Sequence, residues 1–182
     1  MKPLPNFKDV QADTSRGRLP VGGYVLKITA ITDDPKKEYL RIVYDIAEGA
    51  EKGRYSDEWA AANEYAHAFY RSYKEKARGM FKAFLIAIDE TGGSKFAEEA
   101  EKGLDEKKLL GKTFGAVIGE EEYETDRGDV KTRLYIASVM SADRIRKGDF
   151  TVPALKAVKR EAMKPAPEVP FTNPISDDDL PF

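Results

Sequence analysis

The sequence predicts a mainly β fold with helices: an α+β domain of five strands, then a C-terminal segment with no core of its own. Three observations carry this. Four stretches alternate apolar and polar residues with the two-residue period of a strand. One stretch between them changes to the period of an amphipathic helix. Six of the ten prolines stand at 153, 165, 167, 170, 174 and 181, where apolar periodicity has ended. The expected organisation is an N-terminal arm (1–20), one folded domain (21–149), a basic and then Pro-rich linker (150–174) and an acidic tip (175–182).

Taken in order, Gly22-Gly23 opens a strand over Tyr24 to Ile31, with Tyr24, Leu26, Ile28 and Ala30 on the inner face. Asp33-Asp34-Pro35 is a turn. Tyr39 to Ile46 returns as a second strand with Leu40, Ile42, Tyr44 and Ile46 inward, which makes a hairpin. Lys52 to Tyr55 is read as the start of a third strand. Residues 57–68 interrupt it as a helical insertion, and Ala68 to Lys74 resumes it.

Ala77, Met80, Phe81, Phe84, Leu85 and Ile88 then fall on one helical stripe over 76–88, which Gly92-Gly93 ends. Short helices are expected over 96–102 and 105–110. Thr113 to Tyr123 and Val130 to Met140 complete the strands around the turn at Thr125 to Asp129. Phe114, Ala116 and Ile118 face inward on the first of these, and Leu134, Ile136 and Ser138 share one face of the second. Val152 to Met163 reads as a short basic helix. Strand, strand, strand, helix, strand, strand is the order of a five-stranded Greek-key OB barrel with its helix between strands three and four. Other small α+β folds share that order.

The 182-residue chain is long enough to bury a core unaided. It has no cysteine, which excludes thiolate metal sites, cysteine nucleophiles and disulfides. His67 is the single histidine, so a two-His zinc site within one chain is excluded as well. No run approaches a membrane span, and the N-terminus lacks the apolar core of a signal peptide, so a cytoplasmic protein is expected. The net charge is −2, but residues 165–182 hold Glu168, Asp177, Asp178 and Asp179 with no basic residue. The other 164 residues therefore carry −2 − (−4) = +2: a mildly basic body with an acidic tail.

The chain ends Ile175-Ser176-Asp177-Asp178-Asp179-Leu180-Pro181-Phe182. These eight residues resemble the C-terminal tip of single-stranded-DNA-binding (SSB) proteins, which end in acidic residues followed by an apolar residue, Pro and Phe. The long helical segment 57–110 and short linker make the whole closer to the phage-encoded members than to the housekeeping bacterial ones. The resemblance implies an OB body that coats single-stranded DNA during replication, recombination and repair in a bacterial host cell. It also implies that Asp177, Asp178, Asp179, Leu180, Pro181 and Phe182 dock partner proteins. The chemistry is consistent. A terminal aromatic ring fills an apolar pocket, its carboxylate meets a basic residue, and the aspartates raise the on-rate.

Coating a strand without sequence preference needs aromatic platforms and a basic groove. The outer strand faces supply Lys27, Tyr39, Arg41, Arg133 and Tyr135. The third-strand region interleaves Arg54, Tyr55, Trp59, Tyr70, Arg71, Tyr73 and Lys74, and the last hairpin adds Arg127 and Lys131. Tyr39, Tyr70, Tyr73 and Tyr135 fit a core role equally well. An exposed strand edge would also permit a homodimer.

No catalytic residue, metal or cofactor is expected. There is no phosphate-binding glycine motif. Glu120, Glu121 and Glu122 are consecutive, so a strand splits them between two faces and makes a poor cage for the magnesium of a nuclease. Two alternatives remain: an OB-like adaptor that binds only proteins and, second, a magnesium-dependent nuclease using Glu120 and Glu122.

Overall fold

A computed structural model describes Pro3 and residues 17–158; the expected tip residues Asp177 to Phe182, most of the arm and the linker beyond Val158 lie outside the described residues. Five antiparallel strands form one sheet in the order β3-β2-β1-β4-β5: β1 (Gly22–Asp34), β2 (Tyr39–Ile46), β3 (Ala68–Ser72), β4 (Thr113–Glu124) and β5 (Val130–Met140). The α-helices among the described residues are α1 (Glu58–Ala62), α2 (Arg78–Gly92), α3 (Phe96–Glu99) and α4 (Ala142–Arg146).

The sheet is open: no ladder joins β3 to β5 among the described residues, so the expected barrel is not closed by hydrogen bonds. Instead α2 packs against β3, β4 and β5 together. Its Phe84, Leu85 and Ile88 join Leu26, Ile28, Ile42, Ile46, Phe69, Phe114 and Ile118 in one buried core. Met80, expected on that stripe, is 65% exposed, whereas Phe81 in the same first turn packs on Tyr73. Gly93 ends α2 in the left-handed conformation, φ 67°, with its N–H on the Asp89 carbonyl at 2.7 Å.

Two bulges change the inward faces. One between Ile28 and Ala30 turns Ile31, rather than Ala30, onto the core. The other, opposite Val117 and Ile118, places Val139 inward in place of Ser138. Lys52 to Tyr55 is turn rather than strand, so β3 consists of Ala68–Ser72 alone.

Residues 151–158 are not the expected helix. After α4 they run as a strap across the outer face of β1 and β4. Lys156 makes a parallel bridge to Glu121, donating to the Glu120 carbonyl (3.0 Å) and accepting from Glu122 N–H (2.9 Å). Three glycines make room for α4, Phe150 and the strap. A Cβ on Gly23 would stand 2.5 Å from the Phe150 ring, one on Gly115 2.6 Å from Ile145 and from the Ser141 carbonyl, and one on Gly119 2.9 Å from Pro153. Val25 and Val117, which face outward beside them, are buried in consequence. Leu19 joins the main core from the other end, and Arg18 pairs with Glu120 at 2.5 Å.

Candidate nucleic-acid interface

Directly opposed residues of antiparallel strands share a face. Ile42 pairs with Phe69 on the inner face, so Arg41 opposite Tyr70 and Tyr39 opposite Ser72 lie on the outer face of the β2–β3 ladder. The rings of Tyr39 and Tyr70 meet edge to face, 5.2 Å between centroids and 87° between planes. Tyr39 is half-buried by this contact, whereas Tyr70 is 56% exposed and offers its free face to solvent. Lys37, in the β1–β2 turn, stands 6.0 Å over the Tyr39 ring. Arg41 lies beside this pair and donates from Nη1 to Glu64 Oε2 at 2.9 Å. Lys27, on β1, and Lys74, just after β3, are exposed on either side.

A short arm flanks the face. Asp57 caps α1 by accepting from Ala60 N–H at 2.8 Å, and Ala60 is fully buried. A 3₁₀ turn over Glu64–His67 follows and packs against β2. The arm presents Trp59, 58% exposed, and Tyr65, 77% exposed. Asn63 links the two: its Nδ2 donates to the Trp59 carbonyl at 2.7 Å, and its Oδ1 accepts from Tyr65 OH at 3.0 Å. Tyr65 was not among the candidates read from the sequence. Its neighbours Ala66 and His67 give it no basic companion, and only the exposed 3₁₀ turn sets it beside Trp59.

Four expected site residues turn away from this face. Arg54 is nearly buried, pairs with Glu51 at 2.5 Å and donates to the Gly17 carbonyl, holding the N-terminal segment to the body. Tyr55 stacks on buried His67, and burial raises its pKa. Arg71 pairs with Leu40 on the inner face and lies 4.9 Å over the Phe69 ring, where burial lowers its pKa. Tyr73 packs on Phe81 and donates to Asp33 at 2.9 Å; desolvation and then the Asp33 bond push its pKa up to about 12. Each belongs to the packing of the body.

The β4–β5 hairpin divides similarly. Arg127 and Lys131 are exposed around its tip. Arg133, further along, pairs with Glu121 at 2.8 Å and lies over Tyr123. Tyr135 packs over Gly119, with Lys156 5.8 Å above its ring, so the strap covers part of this half of the outer surface. The acidic run is split as strand geometry requires. Glu120 holds Arg18, Glu121 holds Arg133 and Lys156, and Glu122 accepts from Val158 N–H at 3.1 Å. Arg133 and then Lys156 lower the Glu121 pKa through their hydrogen bonds. Among the described residues no three His, Asp or Glu side chains converge on a metal position, and no helix is long and apolar enough to cross a membrane.

A cleft of about 590 Å³ lies elsewhere, between the β1–β2 end of the sheet, α2 and α3. Leu40, Phe81, Leu85 and Leu104 line it with Arg78 and Lys82. No protein-family model matches the chain, and no curated protein matches it.

Proposed function

We propose that the chain is a phage-type single-strand-binding protein that coats single-stranded DNA without sequence preference and recruits replication or recombination proteins through its acidic tip. The sheet is then an OB-type Greek key opened between β3 and β5. The strand order β3-β2-β1-β4-β5, with α2 between β3 and β4 in sequence, supports that fold.

The observation that carries the binding reading is the cluster of large exposed aromatics Trp59, Tyr65 and Tyr70 beside Arg41. Exposed aromatic faces next to cations suit bases and phosphates together, and the strand 2–3 face is the usual OB platform for oligonucleotides. The Asp177 to Phe182 sequence supports the tip's role.

The test is titration of the full chain with a ~35-nucleotide dT oligomer across a salt series, with duplex DNA as control. Binding should weaken linearly on a log–log plot, with a slope of about −0.7 per phosphate contacted. Absence of binding at low salt would overturn the reading in favour of an adaptor that binds only proteins.

A further inference from the structure

Arg41 is the basic side chain in register with Tyr70, at the centre of the aromatic face. A carboxylate of the same chain already occupies it. Glu64 reaches from the first position of the 3₁₀ turn and accepts from Arg41 Nη1 at 2.9 Å, with 28% of the Arg41 side chain and 44% of the Glu64 side chain exposed. The two come from segments 23 residues apart, so the contact is tertiary rather than a by-product of local helix geometry. A carboxylate and a phosphodiester present the same thing to a guanidinium: a pair of anionic oxygens at hydrogen-bonding distance.

We propose that Glu64 stands in for a nucleic-acid phosphate on Arg41, so that strand binding exchanges the carboxylate for a phosphate and Glu64 sets the affinity of the face. This rests on the single-strand reading above. The exchange is isoelectric at Arg41 and leaves the Glu64 charge beside the incoming backbone, which penalises binding. Salt weakens the intramolecular pair along with the contact that replaces it. The wild-type affinity therefore falls less steeply with salt than the count of its phosphate contacts would give.

The experiment is anisotropy titration of a labelled ~35-nucleotide dT oligomer with the wild type, Glu64→Gln, Arg41→Gln and the double variant. Glu98→Gln, at an exposed carboxylate on α3, controls for net charge. Glu64→Gln is expected to bind about two- to five-fold more tightly at ~50 mM salt, the range set by an exposed ion pair. Its log–log salt slope should steepen by as much as one phosphate contact, about 0.7. The gain should disappear in the Arg41→Gln background and be absent from Glu98→Gln. Unchanged affinity and slope in Glu64→Gln would overturn the exchange, as would an equal gain in Glu98→Gln or a gain that survives loss of Arg41. A wild type that does not bind at all overturns the single-strand reading and this inference with it, whereas binding without these differences removes only the inference. Far-UV circular dichroism and melting curves check that each variant is folded.

Discussion

The imidazole of His67 lies flat on the Tyr55 ring, 4.6 Å between centroids and 8° between planes, and closes the foot of the arm that carries Trp59 and Tyr65. Tyr44 meets the same imidazole edge-on at 6.2 Å. His67 is 4% exposed, and its Nδ1 has no hydrogen-bond partner among the described residues.

That setting makes stability depend on pH. Burial lowers the His67 pKa, an effect opposed by the Asp45, Glu64 and Asp57 charges and reinforced by Arg41. The unfolded chain, with an ordinary histidine near 6.5, takes up the proton first as pH falls. Stability is thus complete above about pH 6.5 and declines below it, by at most about 1.4 kcal/mol per pH unit. The melting temperature should drop between pH 7 and 5 in the wild type and stay flatter in His67→Phe, which keeps the stack. Parallel curves for the two proteins would refute this. Glu48 and Glu121, whose pKa values Arg146 and Arg133 lower, lose their contributions only further into acid.

The glycines under α4, Phe150 and the strap should be intolerant of any side chain. Gly23→Ala forces the Phe150 ring to move, and Gly115→Ala meets the Ser141 backbone, which cannot rotate away. Overpacking of this kind costs about 1–3 kcal/mol, so thermal melts should fall by several degrees, more for Gly115→Ala than for Gly23→Ala. In a double-mutant cycle with Phe150→Ala, the Gly23→Ala cost should shrink. Additive effects would show that the ring and the glycine do not meet.

Outward and inward aromatics should separate in binding. Tyr70→Ala and Trp59→Ala are each expected to weaken dT binding by about 1–3 kcal/mol per lost stack. Tyr55→Phe and Tyr73→Phe should leave it unchanged while altering stability. Equal losses from both sets would place the strand elsewhere on the surface.

Deletion of residues 175–182 removes three aspartates from a body of opposite charge. Single-strand affinity should rise at ~50 mM salt, where screening is weak, and converge with the full chain at high salt. Equal affinity at ~50 mM would exclude competition by the tip.

Much of this architecture was legible in the period of the apolar residues. β2 and β5 have the expected bounds, and α2 places Phe84, Leu85 and Ile88 inward as the helical stripe requires. Parity was the weak point. A bulge adds one residue and reverses every later face, and nothing in Thr29-Ala30 or Ala137-Ser138 marks one. Arg71 needs no bulge: it follows inward Phe69 by two residues in an unbroken ladder, and it was its charge that argued for an outward place, whereas it finds its environment over Phe69. The strap was invisible because its signal is distributed. Gly23 reads only as part of a strand opening, and Gly115 and Gly119 carry no signal of their own within β4; the three form a floor only once β1 and β4 are set in register.

The strap also decides how the body bears a load. The chain leaves the described residues at Val158, after Pro153 has seated on Gly119 and Lys156 has bridged to Glu121. A pull applied beyond residue 158 acts first on the Val158–Glu122 hydrogen bond and on that bridge, and then on the packing of Pro153 and Phe150. It reaches the β4–β5 ladder only after those contacts yield. A load on the tail therefore strains this outer layer before it reaches the face carrying Tyr39, Arg41 and Tyr70.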